Sequence, residues 1–391
     1  MRTLIYYKTE NLKPIGGPSG YLYNLYQEIK SNKDKELFFL DQSNTRISII
    51  DKILRILYRC YCRVICRNPR IRFLKNVLFW SKTSGIVNLE KYDAVHFHST
   101  LDMYSERRQL NKYKGIVILT THSPTVFYKE NIQEYFNDEE YKKYKKFLDN
   151  IAIVDEFAFE RADYLVFPCE GAEEPYFHSW DKYMEYRNKS NVKYLLTGIE
   201  AVEFKKDRNT VRKECNIPKD VFVISFVGRH NLIKGYDILI DIFKNNPNVY
   251  FLCCGKIGNI KPPISDRWIE VGWTSDPYSY VNASDLFILP NRETYFDLAL
   301  IQAISIGKMS LISNTGGNKF YDGLKDLGIY LFDNVNDATL IINKIINMDN
   351  EERDAKCVKL RKLFNEKFTS DVFYENYKQL MHGVIKFGDE K

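Results

Sequence analysis

Residues 221–243 read VFVISFVGRHNLIKGYDILIDIF, and this stretch decides the fold. Its first eight residues, VFVISFVG, are almost wholly β-branched and aromatic, the composition of a strand buried on both faces. Gly228-Arg229 ends that strand and Lys234-Gly235 opens a helix after a short loop. A strand passing so directly into a helix is the repeating unit of a parallel sheet covered by helices.

The unit recurs in both directions. TLIYY (3–7), ELFFLD (36–41), AVHFHS (94–99), GIVILTTH (115–122) and YLVFP (164–168) read as short buried strands between helical stretches, one of them near 19–31. VKYLLTGIE (192–200) closes this half, and the polar run KKDRNTVRKE (205–214) leads into the second. There NVYFLCCG (248–255), DLFILP (285–290) and MSLIS (309–313) continue the series. The expected class is α/β: a Rossmann-like parallel-sheet domain over residues 1–204, a second over 205–370, and a C-terminal helix over 371–391. Phe368, Phe373, Tyr374 and Tyr377, in the charged, helical last 40 residues, are expected docking positions. Two such halves place a ligand cleft at the carboxyl ends of both sheets. DEEYKKYKKFLD (138–149) reads as a solvated helical face.

Composition agrees with two globular cores. The 391 residues exceed what one ordinary core serves, and 45% hydrophobic with 28% charged residues excludes a disordered or fibrous chain. No run of about 18 uncharged apolar residues is present to span a bilayer. The opening MRTLIYYKTENLK is interrupted by charge, so no signal-peptide core is expected. Eight cysteines form no regular framework, which points to a cytoplasmic chain.

The net charge of +6 is concentrated in one place. Residues 51–82 hold nine Lys and Arg against Asp51 alone, a local +8, so the rest of the chain sums to −2. Arg55, Arg59, Arg63 and Arg67 recur every fourth residue, along one side of a predicted helix, with Leu54, Leu57, Tyr58, Tyr61 and Ile65 on a neighbouring stripe. Such a helix suits an anionic membrane surface, each nearby cation contributing roughly 1 kcal/mol. The competing reading is an internal helix with solvated or paired arginines. No nucleic-acid motif accompanies the charge. Cys60, Cys62 and Cys66 match no zinc spacing and read as small packing residues.

Three segments carry candidate chemistry. Gly16, Gly17 and Gly20 lie between the first strand and first helix, where glycine admits backbone N–H groups to an anion and the helix terminus adds positive charge. A tight turn has the same composition, and the spacing is not that of a dinucleotide loop. Arg229 and Lys234, five residues apart across one loop, suit a diphosphate; two surface cations share that spacing. In PNRETYFDLALIQAISIGK (290–308), Glu293, Asp297 and Gln302 flank a turn into a helix and could grip hydroxyls. Gly316-Gly317 reads as a further close-approach turn.

Taken together, these stretches resemble the GT-B glycosyltransferases of the retaining family 4 type over nearly the whole length. GGPSGYLYNLYQEI resembles the family's N-terminal glycine loop and helix, YDAVHFHS its D-V-V-H-x-H strand, and LTTHSP its T-x-H strand end. TGIEAVEF resembles the signature closing the N-terminal domain. VGRHNLIKGYDILIDIF resembles the G-R-x4-K-G stretch, and ISIGKMSLISNTGGN the A-x-G-x-P-V segment. All six stand in the family's order. The resemblance implies a C-terminal helix returning to the N-terminal domain. It implies Arg229 and Lys234 as the clamp on the donor pyrophosphate, Gly17 meeting the same phosphate, and His122 at the anomeric side of the sugar. A plain strand-end histidine is the rival reading of His122, and His96 and His98 read as structural. The implied donor site adds Gly16, Glu293, Thr294, Tyr295, Phe296, Asp297, Leu298 and Gln302, with Gly272 in the segment that reads the nucleobase. The family's E-x7-E motif is altered. Gln302 stands where its ribose-binding Glu would be, Thr294 stands eight residues earlier, Glu293 is one residue early, and Asp297 replaces a glycine.

The activity so implied is retaining transfer of a hexosyl or N-acetylhexosaminyl group from a nucleoside-diphosphate sugar, UDP-sugar by family frequency, to a glycan. A polyprenyl-diphosphate carrier at the inner membrane face, in bacterial surface polysaccharide synthesis, fits the basic segment. No cofactor and no metal are expected, since no D-x-D motif occurs. The alternative is a non-catalytic glycosyltransferase-like subunit that binds a partner or glycan, supported by Gln302 and the displaced Glu293; a sugar-nucleotide epimerase ranks behind both.

Overall fold

The computed structural model describes residues 1–8, 12–14, 17–40, 49–80, 87–130 and 136–388. Gly16 lies outside the described residues, and so does the side chain of Arg55. Two six-stranded sheets organise the chain. The first holds β1 (Thr3–Tyr6), β2 (Leu37–Phe39), β3 (Ala94–Phe97), β4 (Ile116–Leu119), β5 (Tyr164–Phe167) and β6 (Asn191–Tyr194), in the order β2-β1-β3-β4-β5-β6. The second holds β7 (Phe222–Val227), β8 (Val249–Cys254), β9 (Trp268–Gly272), β10 (Leu286–Leu289), β11 (Ser310–Ser313) and β12 (Ile329–Phe332), in the order β12-β11-β10-β7-β8-β9. All their ladders are parallel.

Strand composition explains the layering. AVHF, YLVF, LFIL and SLIS are buried along their whole lengths in β3, β5, β10 and β11, as strands covered on both faces must be. The helix Gly17–Ser31 turns Tyr21, Leu22, Leu25 and Ile29 onto the first sheet. Two strands escape the sequence reading, β9 and β12. Both are edges of the second sheet, paired on one flank only, and WIEVG interrupts its apolar pattern with a charge and a glycine.

Each sheet has one point where strand order reverses, β1/β3 in the first and β7/β10 in the second. Ligands of open parallel sheets bind outside the strand ends at such points. Residues 228–235 leave β7 and residues 290–297 leave β10, so both candidate segments of the second half sit at its reversal. His98 follows β3 at the other.

The basic segment differs from the single expected helix. It forms two helices, Ile49–Ile65 and Pro69–Trp80. Pro69 starts the second, where its missing N–H costs nothing, and Asn68 Oδ1 accepts from the N–H groups of Arg70 and Ile71. Arg67 therefore lies in the connection and not on the helix of Arg59 and Arg63. Cys62 and Cys66 are buried as expected, whereas Cys60 is exposed.

The helix Ser370–Gly388 returns to the first half. Ile199 and Thr369 form a parallel bridge at the crossing, and Phe368, Phe373, Tyr374 and Tyr377 are all buried. Tyr374 and Lys378 donate to Asp34 at 2.6 and 2.9 Å. Burial alone would raise the Asp34 carboxyl, but these bonds and the backbone N–H groups of Glu36 and Leu37 hold it at about 2. Phe373 packs edge-on against Tyr21, with ring centroids 4.8 Å apart. Phe373→Ala should therefore cost about 3–5 kcal/mol, read as a lower urea midpoint; an unchanged midpoint would show that the crossing helix does not support the first half.

Candidate active site

On the second sheet, Gly235 has φ +62°, and a Cβ there would lie 1.6 Å from the Pro290 carbonyl oxygen. Only glycine fits, and the contact presses the loop after β7 onto the segment after β10. Lys234 is thereby aimed at Asp297. Its Nζ donates to Asp297 Oδ1 at 2.7 Å, Thr294 Oγ1 donates to Oδ2 at 3.1 Å, and Asn291 Nδ2 donates to the same oxygen. Burial raises the Asp297 carboxyl, yet Lys234 and these hydrogen bonds bring it below its ordinary value. Arg229, on the same loop, is exposed.

The remaining donor-site candidates spread around this pair. Glu293 is exposed, while Thr294, Tyr295 and Phe296 are buried. Leu298 begins the helix Leu298–Ser305 and is half-buried. Gln302 accepts from the Tyr278 hydroxyl. Gly272 ends β9 with φ +73°, and a Cβ there would meet nothing within 4 Å. Gly17 begins its helix in similarly open space. The close approach expected at Gly316-Gly317 is made to the chain itself: a Cβ on Gly317 would lie 1.9 Å from the Tyr295 carbonyl oxygen.

The first sheet contributes a histidine cluster at the strand ends. His98 Nδ1 and His122 Nε2 share a hydrogen bond of 2.8 Å. The His96 ring lies against His98 with centroids 4.1 Å apart and planes tilted by 37°, and His96 itself bonds Tyr377 and Thr120, each at 2.9 Å. His122 is held at φ +58°, an uncommon conformation for a residue with a side chain. The partnership of His98 with His122 is the feature the sequence reading missed; its trace is that His98 directly follows β3 and His122 lies just beyond the end of the neighbouring β4, after Thr120 and Thr121.

Tyr295 joins the two halves. Its hydroxyl donates to the Val166 carbonyl at 3.3 Å, and its ring lies 5.9 Å from Phe167 and 6.4 Å from His122, centroid to centroid. Beside it, a Cβ on Gly171 would lie 2.3 Å from the Gly316 carbonyl oxygen, and Lys319 pairs with Glu174 at 2.6 Å. Tyr295, which reaches His122 across the halves, thus stands two residues from Asp297 and its bond to Lys234.

Residues 207–362 match the family model described as glycosyl transferases group 1. The structure aligns over 98% of this chain and 98% of the other with sucrose-phosphate synthase from Thermosynechococcus elongatus, at a TM-score of 0.64 and 16% identity. It aligns equally with HepE from Anabaena in complex with UDP-glucose, over 98% of this chain and 100% of that one, at a TM-score of 0.63 and 14% identity. The fold is GT-B. Among curated proteins, the O-antigen biosynthesis glycosyltransferase WclY of Escherichia coli is 20% identical over 385 residues, covering 95% of this chain and 96% of its own.

Within this GT-B cleft the histidines are uncharged. Burial lowers His96 and His122 to about 3, with the neighbouring ring of His122 adding to the effect on His96. Burial and both neighbours put His98 well below its usual value. Below about pH 6.5 the unfolded chain gains protons that these rings refuse. Stability therefore falls on acidification by up to about 1.4 kcal/mol per pH unit for each ring. Asp102 at about 6 and Asp155 at about 7, both raised by burial, act in the opposite sense. The difference between wild type and His98→Asn isolates one ring. In urea titrations that stability gap should narrow by about 1.4 kcal/mol per unit from about pH 6 to pH 5; parallel curves would contradict a neutral, buried His98.

Proposed function

We propose that this chain transfers a sugar, with retention of configuration and without a metal, from a UDP-sugar to a glycan acceptor on a polyprenyl diphosphate. The carrying observation is that the Lys234–Asp297 pair stands at the reversal point of the second sheet beside Tyr295, whose ring reaches His122, held neutral by burial, at the end of the first. The O-antigen role in the name of WclY and the UDP-glucose complex of HepE support the substrate classes and a place in bacterial surface polysaccharide synthesis. In this reading the diphosphate lies over residues 228–235, and Arg229 and Lys234 take up its growing charge as the glycosidic bond breaks. His122, being neutral, faces the sugar as a hydrogen-bonding group and not as a cation. Gln302 accepts from Tyr278, which leaves its NH2 to donate to the ribose. The departing diphosphate helps remove the acceptor proton on the same face, and the group moved is hexosyl or N-acetylhexosaminyl. Arg229→Ala should lower turnover of the sugar nucleotide roughly 10²–10³-fold with the thermal transition unchanged. Undiminished turnover would remove Arg229 from the diphosphate clamp.

The helix Ile49–Ile65 supports work at the inner membrane surface. Ile49, Ile50, Ile53, Leu57 and Val64 are exposed, Val64 to 84%, while Cys62 faces the protein. The apolar half of the helix is turned outward, with Arg59 and Arg63 alongside it. Exposed apolar patches of this kind mark interaction sites, and flanking cations select anionic headgroups. Among the described residues no helix is long and apolar enough to cross a membrane, so docking would be peripheral. The chain should co-sediment with phosphatidylglycerol vesicles, the triple variant Ile53→Asp, Leu57→Asp, Val64→Asp should remain in the supernatant, and Arg59→Glu with Arg63→Glu should weaken binding. Equal sedimentation of all three proteins would refute the docking helix.

The Lys234–Asp297 pair favours a second reading, a glycosyltransferase-like subunit without catalysis, because one clamp cation is already neutralised. That reading requires that no nucleotide sugar be turned over by the wild-type chain.

A further inference from the structure

Three donors converge on the Asp297 carboxylate: the Lys234 ammonium, the Thr294 hydroxyl and the Asn291 amide. Asn291 turns its NH2 to the carboxylate and leaves its buried Oδ1 with no hydrogen-bond partner. Asp297 directly precedes the helix Leu298–Ser305, yet its side chain caps none of that helix's N–H groups. An Asp in this position ordinarily bonds those N–H groups. Here it is held by the ion pair instead, and the arrangement is an anion site filled by the chain's own carboxylate.

We infer that Asp297 is a built-in competitor for the donor's diphosphate, which must displace this carboxylate from Lys234 to be clamped. The inference rests on the proposed donor site at residues 228–235. The pair is only partly covered, Lys234 retaining 26% and Asp297 17% side-chain exposure, so an incoming phosphate can reach the ammonium. A diphosphate arriving beside the intact pair meets no net charge from it, whereas one arriving after loss of the carboxylate meets a full positive charge. An internal anion of this kind weakens the hold on the donor and on the product diphosphate alike, favouring release after transfer. The rival role is a positioning one, in which Asp297 holds Lys234 ready for the phosphate.

The two roles predict opposite orders of affinity, measurable by calorimetric titration of UDP into four folded proteins. The pair carries no net charge in wild type, one positive charge in Asp297→Asn, one negative charge in Lys234→Ala, and none in the double variant. Competition predicts that Asp297→Asn binds UDP at least tenfold tighter than wild type, that the double variant binds about as wild type does, and that Lys234→Ala binds weakest. Asp297→Gly, which removes the carboxylate and all its bonds, should also bind tighter and guards against a local defect in the Asn variant. If UDP binds wild type but binds Asp297→Asn and Asp297→Gly equally or more weakly, the competitor role is wrong and the donor site stands. If UDP binds neither wild type nor any variant, the donor-site reading itself fails.

Discussion

Burial of the C-terminal crossing helix against the first sheet is the constraint that turns two sheets into one cleft. The chain leaves the second half at Phe368, bridges to Ile199 through Thr369, and lays Phe373, Tyr374 and Tyr377 into the first half. Tyr377 bonds His96, and Phe373 backs Tyr21, whose ring meets His122 edge-on at 4.6 Å. Together with the Tyr295 and Lys319 contacts, this helix fixes the relation of the halves and supports the wall on which His122 stands. A side chain held at positive φ persists only where its surroundings over-determine it, and His122 has that support from His98, Tyr21 and, through Tyr21, the crossing helix.

The opposite wall is organised by backbone contact. Gly235 lets the loop after β7 touch Pro290, and Gly317 lets the next turn touch Tyr295. These contacts leave no room for a side chain, so the cation of Lys234 and the carboxylate of Asp297 are brought within 2.7 Å although 63 residues separate them. The Lys234 cation, assigned to a phosphate in the proposed donor site, is met by an acid of the same chain. Under the proposed competition, affinity for the donor is traded for release, and the donor site switches between an internal and an external anion.

Much of this was legible in the sequence because the signals were local. Apolar runs marked nine of the twelve strands, VKYLLTGIE overlapped a tenth, and the polar run 205–214 falls between the sheets, most of it as the helix Arg208–Glu214. The docking aromatics of the last helix were readable from their positions. What escaped was either weakly patterned or non-local. β9 and β12 are edge strands with one partner each. The first helix ends at Ile65, although the four-residue spacing of arginines runs past that end to Arg67. The His98–His122 bond depends on the register of β3 against β4. The Lys234–Asp297 pair depends on β7 lying beside β10, an order that spacing along the chain does not contain.

The most direct test of the account is a crystal structure of the chain grown with UDP. The account predicts a diphosphate against residues 228–235, within hydrogen-bonding distance of Arg229 and Lys234, with the Lys234 ammonium moved away from Asp297 and His122 still bonded to His98. A nucleotide bound elsewhere, or a diphosphate in the cleft while Lys234 remains on Asp297, would contradict it.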